Sequence, residues 1–261
     1  MKEDRIKTNS RIKTAVLVAA LAVFFITDGI VLFMACRPEV EIAAEQKQWQ
    51  GLDLLKKYSE NPDMIGWLQV EGTNINYPVL RGEKYLTRNF GGRSDASGSI
   101  FVSDDWGEDD MCTLIHGHNM WMYGTMLNQL HLFKEADFFQ DNRIIKFYVI
   151  EDGGRAAEKR TYEVLCCSLI SIDEWNFASC RYMCSGEELA AFASECRRRA
   201  VQERFTEDSG DDGYENLIVL STCSYHVEGD GGRLLLVGQL TDRREQNRID
   251  VDQSRNDVDQ Q

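Results

Sequence analysis

Cys223 and Arg233 are the two residues whose types and spacing first suggest chemistry. An apolar, β-branched run, Leu217–Thr222, leads into Cys223, which predicts a strand with the sulfur where that strand gives way to a loop. A cysteine thiol becomes a nucleophile when a neighbouring base or cation favours the thiolate. Arg233 follows the glycine-rich stretch 229–232 and opens the next apolar run. If the two runs pair as antiparallel strands, the guanidinium faces the thiol, where it can steady a thiolate, hold a substrate carbonyl or stabilise an oxyanion.

The bases available to such a thiol are few, because the chain has only four histidines, of which two are His131 and His226. The other two, His116 and His118, flank Gly117, where a predicted strand leaves its sheet. These two lie on one face if the strand continues, which is also the pattern of a metal-ligand pair. No carboxylate or thiol nearby completes a coordination sphere, so we expect no metal and no cofactor.

The net charge and the first residues bear on partners and location. With 29 Lys and Arg against 43 Asp and Glu, the formal charge is −14, which argues against a nucleic-acid partner bound through phosphates. Residues 1–13 are nevertheless basic, and the apolar run Thr14–Cys36 is long enough for a membrane helix. The positive-inside rule then predicts a cytoplasmic segment 1–13, a signal anchor 14–36 and everything after it outside the cell membrane. A lipoprotein-type cleavage before Cys36 is disfavoured by the bulky Phe33 and Met34.

The rest of the chain predicts a mainly β domain between two appendages. A stalk helix over 37–60 precedes a domain over 61–240, and a polar, disordered tail over 241–261 follows it. Short strand-like runs separated by Gly, Asp and Asn favour a closed, mostly antiparallel β-barrel. They cover 97–103, 111–117, 143–150, 160–170, 215–223 and 233–240. Two helices are predicted as well, over Met122–Phe133 and over Gly186–Phe205, the second with Ser185 as N-cap and Glu188 in the capping box.

The eight cysteines have no regular spacing that indicates zinc. Cys166 and Cys167 are adjacent, and Cys180 and Cys184 are four apart. In an exported domain, cysteines normally indicate disulfides, and we expect at least one to be free for chemistry.

Six motifs in order give the sequence a family resemblance. They are NPDMIGWLQVEGTNINYPVL from Asn61, KYL ending at Leu86, GSIFVS from Gly98, HGHNM ending at Met120, LSTC ending at Cys223, and the arginine that opens RLLLVG. In this order, behind an N-terminal anchor, they resemble the class B sortases, which are membrane-anchored cysteine transpeptidases of Gram-positive bacteria. The resemblance spans nearly all of 61–240 and implies a sortase β-barrel with N-terminal helices and an additional helix before the nucleophile strand.

The same resemblance implies roles for individual residues. Cys223 would be the nucleophile, His118 the general acid and base, and Arg233 the positioning, oxyanion-stabilising cation. His226, three residues after the nucleophile, is a rival base that ranks second. Substrate contacts are implied for Leu86, Phe177, Ser221 and Thr222.

The implied reaction is a two-step acyl transfer. The thiolate attacks a C-terminal sorting signal of a surface protein after a threonine-like residue and forms a thioester. An amino group of peptidoglycan or of its lipid-linked precursor then takes the acyl group. Three features depart from the family. His116 stands where tyrosine is frequent, the loop before KYL is shorter than in some relatives and lacks an asparagine found there, and Ser224 and Tyr225 after the nucleophile offer no accessory carboxylate.

Three alternatives remain at this point. The first is a surface-anchored binding or scaffold protein on a degenerate sortase barrel, with structural cysteines. The second is a cell-wall cysteine hydrolase in which water outcompetes the amine. The third is a sortase that polymerises pilins through a lysine acceptor.

Overall fold

The fold is seen in a computed structural model that describes residues 54–151, 153–154, 156–205, 214–225 and 231–246. All of them belong to one compact unit, Gln46–Gln261. The strands in this described part are β1 Met64–Val70, β2 Asn76–Arg81, β3 Ile100–Val102, β4 Cys112–His116, β5 Asn119–Met120, β6 Thr125–Met126, β7 Ile144–Glu151, β8 Ala156–Ser171, β9 Ala200–Glu203, β10 Leu217–Cys223 and β11 Gly232–Gln246. The helices are α1 Leu54–Tyr58, α2 Ala136–Asp141 and α3 Gly186–Arg198, with three short 3₁₀ helices at Glu83–Thr87, Asn128–Lys134 and Phe177–Tyr182.

Eight of the strands close into a barrel. The sheet order is β11-β10-β4-β3-β2-β1-β7-β8, and a further pairing of β11 with β8 joins its two ends. The pairs β10–β4 and β2–β3 are parallel, and the other pairs around the barrel are antiparallel. The prediction of a mainly β, mostly antiparallel closed barrel is therefore confirmed.

The long excursion between β8 and β9, residues 172–199, packs on the outside of the barrel through a hydrophobic layer. Leu114, Val219 and Leu235 from the barrel pack with Leu189 and Phe192 of α3 in one buried group, which we call the outer cluster. Alternation along each strand sends every second side chain to this face. Burying one such side chain contributes about 1.5–3 kcal/mol, so the cluster holds α3 against the barrel.

The helix predicted over Met122–Phe133 is wrong. Gly124 and Met126 have φ angles of 68° and 55°, left-handed values that interrupt a right-handed helix. The segment instead forms the β5–β6 hairpin and then the 3₁₀ helix Asn128–Lys134, which buries Leu130 and Phe133. Apolar residues three apart fit the three-residue turn of a 3₁₀ helix, and they produced the helical pattern in the sequence.

The predicted start of α3 is confirmed, and its end is corrected. The Ser185 hydroxyl accepts a hydrogen bond from the Glu188 amide, and the Glu188 carboxylate accepts one from the Cys184 amide. The helix ends at Arg198 rather than at Phe205, because Ala200–Glu203 leave it to pair with β8 as β9. Backbone pairing with an existing strand outweighs helix propensity here.

The last barrel strand also runs past the predicted boundary at residue 240. β11 continues to Gln246 because its backbone pairs with β8 through Gln246↔Ala157. In this extension, Arg243 Nε lies 3.7 Å from Glu158 Oε1 of β8. The remainder of the predicted tail, residues 247–261, lies outside the described residues.

The predicted appendage at the N-terminus falls largely outside the described residues. This holds for the basic segment 1–13, the anchor 14–36 and the stalk up to residue 53, so that α1 is the part of the stalk that can be seen. Among the described residues, no helix combines the length and apolarity needed to span a bilayer.

Candidate active site

Cys223 and Arg233 face each other across one pair of strands. β10 and β11 are antiparallel, and their register makes Cys223 the direct partner of Arg233. Directly paired residues in an antiparallel ladder have Cβ atoms about 4.5–5.5 Å apart on the same face. Both residues are half-buried, so the thiol and the guanidinium share one partly exposed place at the end of the barrel.

His118 reaches the same end through the parallel neighbour of β10. Ser221 is aligned with His116 of β4, so Cys223 and His118 lie two residues further along the two chains. The Gly117 amide donates to Ser221 O at 3.2 Å, and the Thr222 hydroxyl donates to Gly117 O at 2.9 Å. These bonds extend the alignment past the end of β4 and hold the segment with His118 beside β10.

The imidazole of His118 is oriented by a backbone carbonyl. Its Nε2 lies 2.8 Å from Leu86 O, and a carbonyl oxygen can only accept, so Nε2 carries the proton. Nδ1 is then the nitrogen of the neutral ring that can take or return a proton. The Leu127 amide donates to His118 O at 3.0 Å, which fixes the backbone of the same residue.

Gly98 leaves room for the Leu86 carbonyl in the position where this carbonyl contacts His118. It has a φ of +60°, and an added Cβ would lie 2.3 Å from Leu86 O. We expect Gly98→Ala to lower the free energy of unfolding by about 2–4 kcal/mol and to reduce activity, because the carbonyl must move. Gly92→Ala is the matched control, since Gly92 also has a positive φ but nothing stands within 4 Å of its added Cβ. Denaturant unfolding of both variants measures the difference, and equal losses would contradict the steric argument.

A polar network that the sequence did not reveal holds the main chain of Cys223. Asn119 Nδ2 donates to Cys223 O at 2.9 Å, and His131 Nε2 lies 3.1 Å from the same oxygen. Asn128 Nδ2 donates to Asn119 Oδ1 at 2.6 Å and fixes the orientation of that amide. Asn119 follows His118 in the chain, so the network ties the histidine segment to the end of β10. Its one sequence signal is the asparagine in HGHNM, whereas His131 lies inside a segment whose structure was mispredicted.

His116 lies on the same strand face as Cys223 and is uncharged at neutral pH. Its ring stacks on Phe101, with centroids 5.4 Å apart. Burial, and then the charges of Arg181 and Arg233, lower its pKa from 6.5 to about 4. The residue that departs from the family pattern is therefore a neutral aromatic ring under the influence of two arginine charges.

The low pKa of His116 makes a measurable contribution to the pH dependence of stability. The unfolded chain binds a proton at His116 below pH 6.5 and the folded chain binds one only near pH 4, so stability is lost as the pH falls through this window. The loss is about 3 kcal/mol by pH 4. Glu151 acts in the opposite direction, because burial and Glu158 raise its pKa to about 7.

The two contributions are separated by comparing the wild type with His116→Gln at each pH. We measure the free energy of unfolding of both proteins with denaturant. The value for the wild type minus the value for the variant should fall by about 3 kcal/mol between pH 7 and pH 4. Parallel pH profiles for the two proteins would contradict the assigned burial of a neutral ring.

The residues predicted to contact substrate have different surroundings. The Leu86 side chain is 44% exposed beside His118. Ser221 and Thr222 are each 2% exposed, and Phe177 is 5% exposed within the outer cluster, which leaves little side-chain surface for a substrate. The rival base His226 lies outside the described residues.

Known proteins resemble this chain both in sequence and in fold. No family model matches the chain. Sortase B of Listeria monocytogenes is 27% identical over 185 residues, which cover 69% of this chain and 70% of the relative. Sortase B of Staphylococcus aureus is 32% identical over 92 residues, which cover 33% of this chain and 37% of that protein. The crystal structure of Clostridium perfringens sortase B superposes with a TM-score of 0.61 at 27% identity, covering 72% of this chain and 98% of that one.

The closed eight-stranded barrel, with a cysteine and an arginine paired at its end, defines a sortase-type protein. In sequence and in fold the chain is similar to class B sortases, and this confirms the resemblance of the six motifs.

Proposed function

We propose that this protein is a membrane-anchored transpeptidase that cleaves the C-terminal sorting signal of surface proteins and joins them to an amino group of the cell wall. The observation that carries the proposal is the direct pairing of Cys223 with Arg233 across β10 and β11, next to the segment that holds His118. These are the three groups that a cysteine acyl transfer requires: a nucleophile, a proton carrier and a cation for developing negative charge.

In the first step, the Cys223 thiolate, whose proton is held by Nδ1 of His118, attacks the carbonyl carbon after the threonine-like residue of the sorting signal. The carbonyl oxygen becomes an oxyanion, which the guanidinium of Arg233 stabilises. As the tetrahedral intermediate collapses, the peptide C–N bond breaks and His118 donates a proton to the leaving amine. The products of this step are an acyl thioester on Cys223 and the released C-terminal peptide.

In the second step, an amino group of the acceptor attacks the thioester. His118, now neutral, accepts a proton from the attacking amine, and the C–S bond breaks to return the Cys223 thiolate. The carbonyl oxygen again carries negative charge, so Arg233 acts in both steps. Peptidoglycan or its lipid-linked precursor supplies the amine.

The proposed location follows from the sequence outside the described residues. The basic segment 1–13 would stay in the cytoplasm, the run 14–36 would cross the membrane once, and the barrel would face the cell wall. An anchored enzyme meets both substrates there, because sorting-signal proteins and lipid-linked precursors both arrive at the outer face of the membrane.

The proposal is tested by mass spectrometry of the products formed from a library of sorting-signal peptides, with and without an added amine such as triglycine. We expect a cleaved peptide joined to the amine, formed through a thioester adduct of the enzyme. Hydrolysed peptide alone, unchanged by added amine, would indicate a hydrolase. Absence of any adduct or product across the library would indicate a binding or scaffold protein, and preference for a lysine side chain as acceptor would indicate a pilin-polymerising enzyme.

Replacement of Arg233 tests the shape of the cation as well as its charge. The Arg233 Nη1 donates to Gly232 O at 2.8 Å, which orients the planar fork at the start of β11. We expect both Arg233→Ala and Arg233→Lys to lower kcat/KM about 100-fold, because lysine keeps the charge and loses the fork.

The matched control is Arg243→Lys, which changes an arginine of the same strand whose side chain is 46% exposed and away from the site. We expect its steady-state kinetics to equal those of the wild type. Near-normal turnover of Arg233→Lys would show that the positive charge is sufficient and that the planar guanidinium is not required.

A further inference from the structure

Four buried cysteines meet in the outer cluster, away from the nucleophile. Cys112, Cys166, Cys180 and Cys196 each have no exposed surface and all belong to this cluster. Cys112 begins β4 and Cys166 lies on β8, so these two come from the barrel. Cys180 lies in the 3₁₀ helix Phe177–Tyr182 and Cys196 in the last turns of α3, so the other two come from the excursion that covers the barrel.

The four thiols are arranged as two pairs, each with one member on the barrel and one on the excursion. The 3₁₀ helix Phe177–Tyr182 packs against β4 and α3 packs against β8, which places Cys180 near Cys112 and Cys196 near Cys166 in the cluster. The Cys180 thiol raises the pKa of Cys112, and burial together with the Cys166 thiol raises the pKa of Cys196. An independent contact marks the second pair: the Ser168 hydroxyl lies 3.6 Å from Cys166 Sγ and donates to Cys196 O at 2.8 Å. Neighbouring sulfurs from separate elements are what a disulfide requires of its surroundings.

We infer that these thiols form two disulfide bonds, Cys112–Cys180 and Cys166–Cys196, which join the segment 177–198 covalently to the outer face of the barrel. The structure describes the dithiol form. The inference rests on the proposed location outside the cytoplasm, where disulfides persist, and it does not depend on transpeptidation.

The bonds must form during folding. Burial and the neighbouring thiols raise the pKa of Cys112 and of Cys196 well above the ordinary value, so the folded dithiols contain almost no thiolate to start an exchange. While the chain is still open, each pair can react with an exported oxidant that carries a disulfide. Each pair gives up two protons and two electrons and forms one S–S bond, while the disulfide of the oxidant is reduced to two thiols.

One of the proposed bonds lies next to the active site. Cys180 precedes Arg181, whose charge acts on His116 and whose guanidinium donates to the Ser103 hydroxyl. A Cys112–Cys180 bond would therefore fix the wall of the site that carries Arg181. The Cys166–Cys196 bond would fix the far end of the same excursion at α3.

The first test maps the bonds in the full chain, anchored in the membrane of a Gram-positive host and isolated without reductant. Free thiols are blocked with N-ethylmaleimide in denaturant, and the non-reduced digest is analysed by mass spectrometry. We expect linked peptides that contain Cys112 with Cys180 and Cys166 with Cys196, while Cys223 and Cys184 are alkylated. Alkylation of all four cluster cysteines, or either of the other two pairings, would overturn the inference.

A second test measures the melting temperature with and without a reductant in the same preparation. We expect reduction to lower the wild-type value by about 5–15 °C. The double variant Cys112→Ala, Cys180→Ala should lose part of this reductant-dependent shift. Cys167→Ala is the control, since Cys167 is also buried but points to the opposite face of β8, and it should keep the full shift.

The two proposals fail separately. Acyl transfer by Cys223 is measured on the same preparation in both redox states, so an active enzyme without linked peptides overturns the disulfides alone. A reductant-independent melting temperature in the wild type would also overturn them.

Discussion

Cys223→Ala is expected to lose acyl transfer completely, with kcat/KM reduced by a factor of about 1,000 or more. An alanine cannot form the thioester through which both proposed steps pass. Arg233 would remain at the start of β11, so peptide binding should change little while the chemical step is lost. The measurement is a product assay with a sorting-signal peptide, combined with a mass spectrum of the enzyme to detect the acyl adduct.

Cys184→Ala is the control that makes this result specific. Cys184 is the exposed cysteine of the described residues and lies before α3, so it is the other thiol there that solvent reaches readily. We expect the control to form the adduct at the wild-type rate. A thiol-directed sorting-signal analogue that labels Cys223→Ala as well as the wild type would refute the assignment of the nucleophile.

His118→Asn is expected to abolish accumulation of the thioester and to reduce acylation by a factor of about 100–10,000. The variant His118→Gln is measured beside it, because a glutamine amide can reach Leu86 O as Nε2 does, whereas asparagine places its amide near the position of Nδ1. Neither amide can carry a proton between the thiol, the leaving amine and the acceptor. Rapid-quench measurement of the adduct isolates this step from the second one.

Two other histidines provide the comparison for His118. His226→Asn should leave adduct formation measurable, because this residue ranks second as the base. His131→Asn should produce an intermediate effect, since His131 contacts the carbonyl of Cys223 and so acts on the position of the nucleophile. A full loss in His226→Asn together with a mild loss in His118→Asn would transfer the role of the base to His226.

The pairing of Cys223 with Arg233 could be predicted because it depends on neighbours in sequence. An apolar run, a glycine-rich turn and a second apolar run form a hairpin, and the register of a hairpin follows from its turn. The prediction of a β-barrel followed from the same local signals, since the alternation of apolar and polar residues can be recognised in each segment separately. The capping of α3 by Ser185 is local as well and was predicted correctly.

The alignment of His118 with Cys223 depends on a pairing that no local pattern specifies. β4 and β10 are parallel strands with about a hundred residues between them, and they become neighbours only when the barrel closes. The hydrogen bonds of Asn119 and His131 to the Cys223 carbonyl follow from the same closure. The helix predicted over Met122–Phe133 failed for a related reason, because its residues are shaped by contacts with this end of the barrel.

The sequence alone thus determined the chemical types at the site, the strand-rich class of the domain and the hairpin that joins thiol and guanidinium, since local periodicity and turn chemistry encode all three. The tertiary structure decided which histidine stands beside the thiol, where β11 ends and which cysteines are neighbours. Four cysteines allow three pairings, and only the packing of the excursion against the barrel selects one of them. Contacts distant in sequence are chosen by the closure and packing of the whole domain, which no single segment contains.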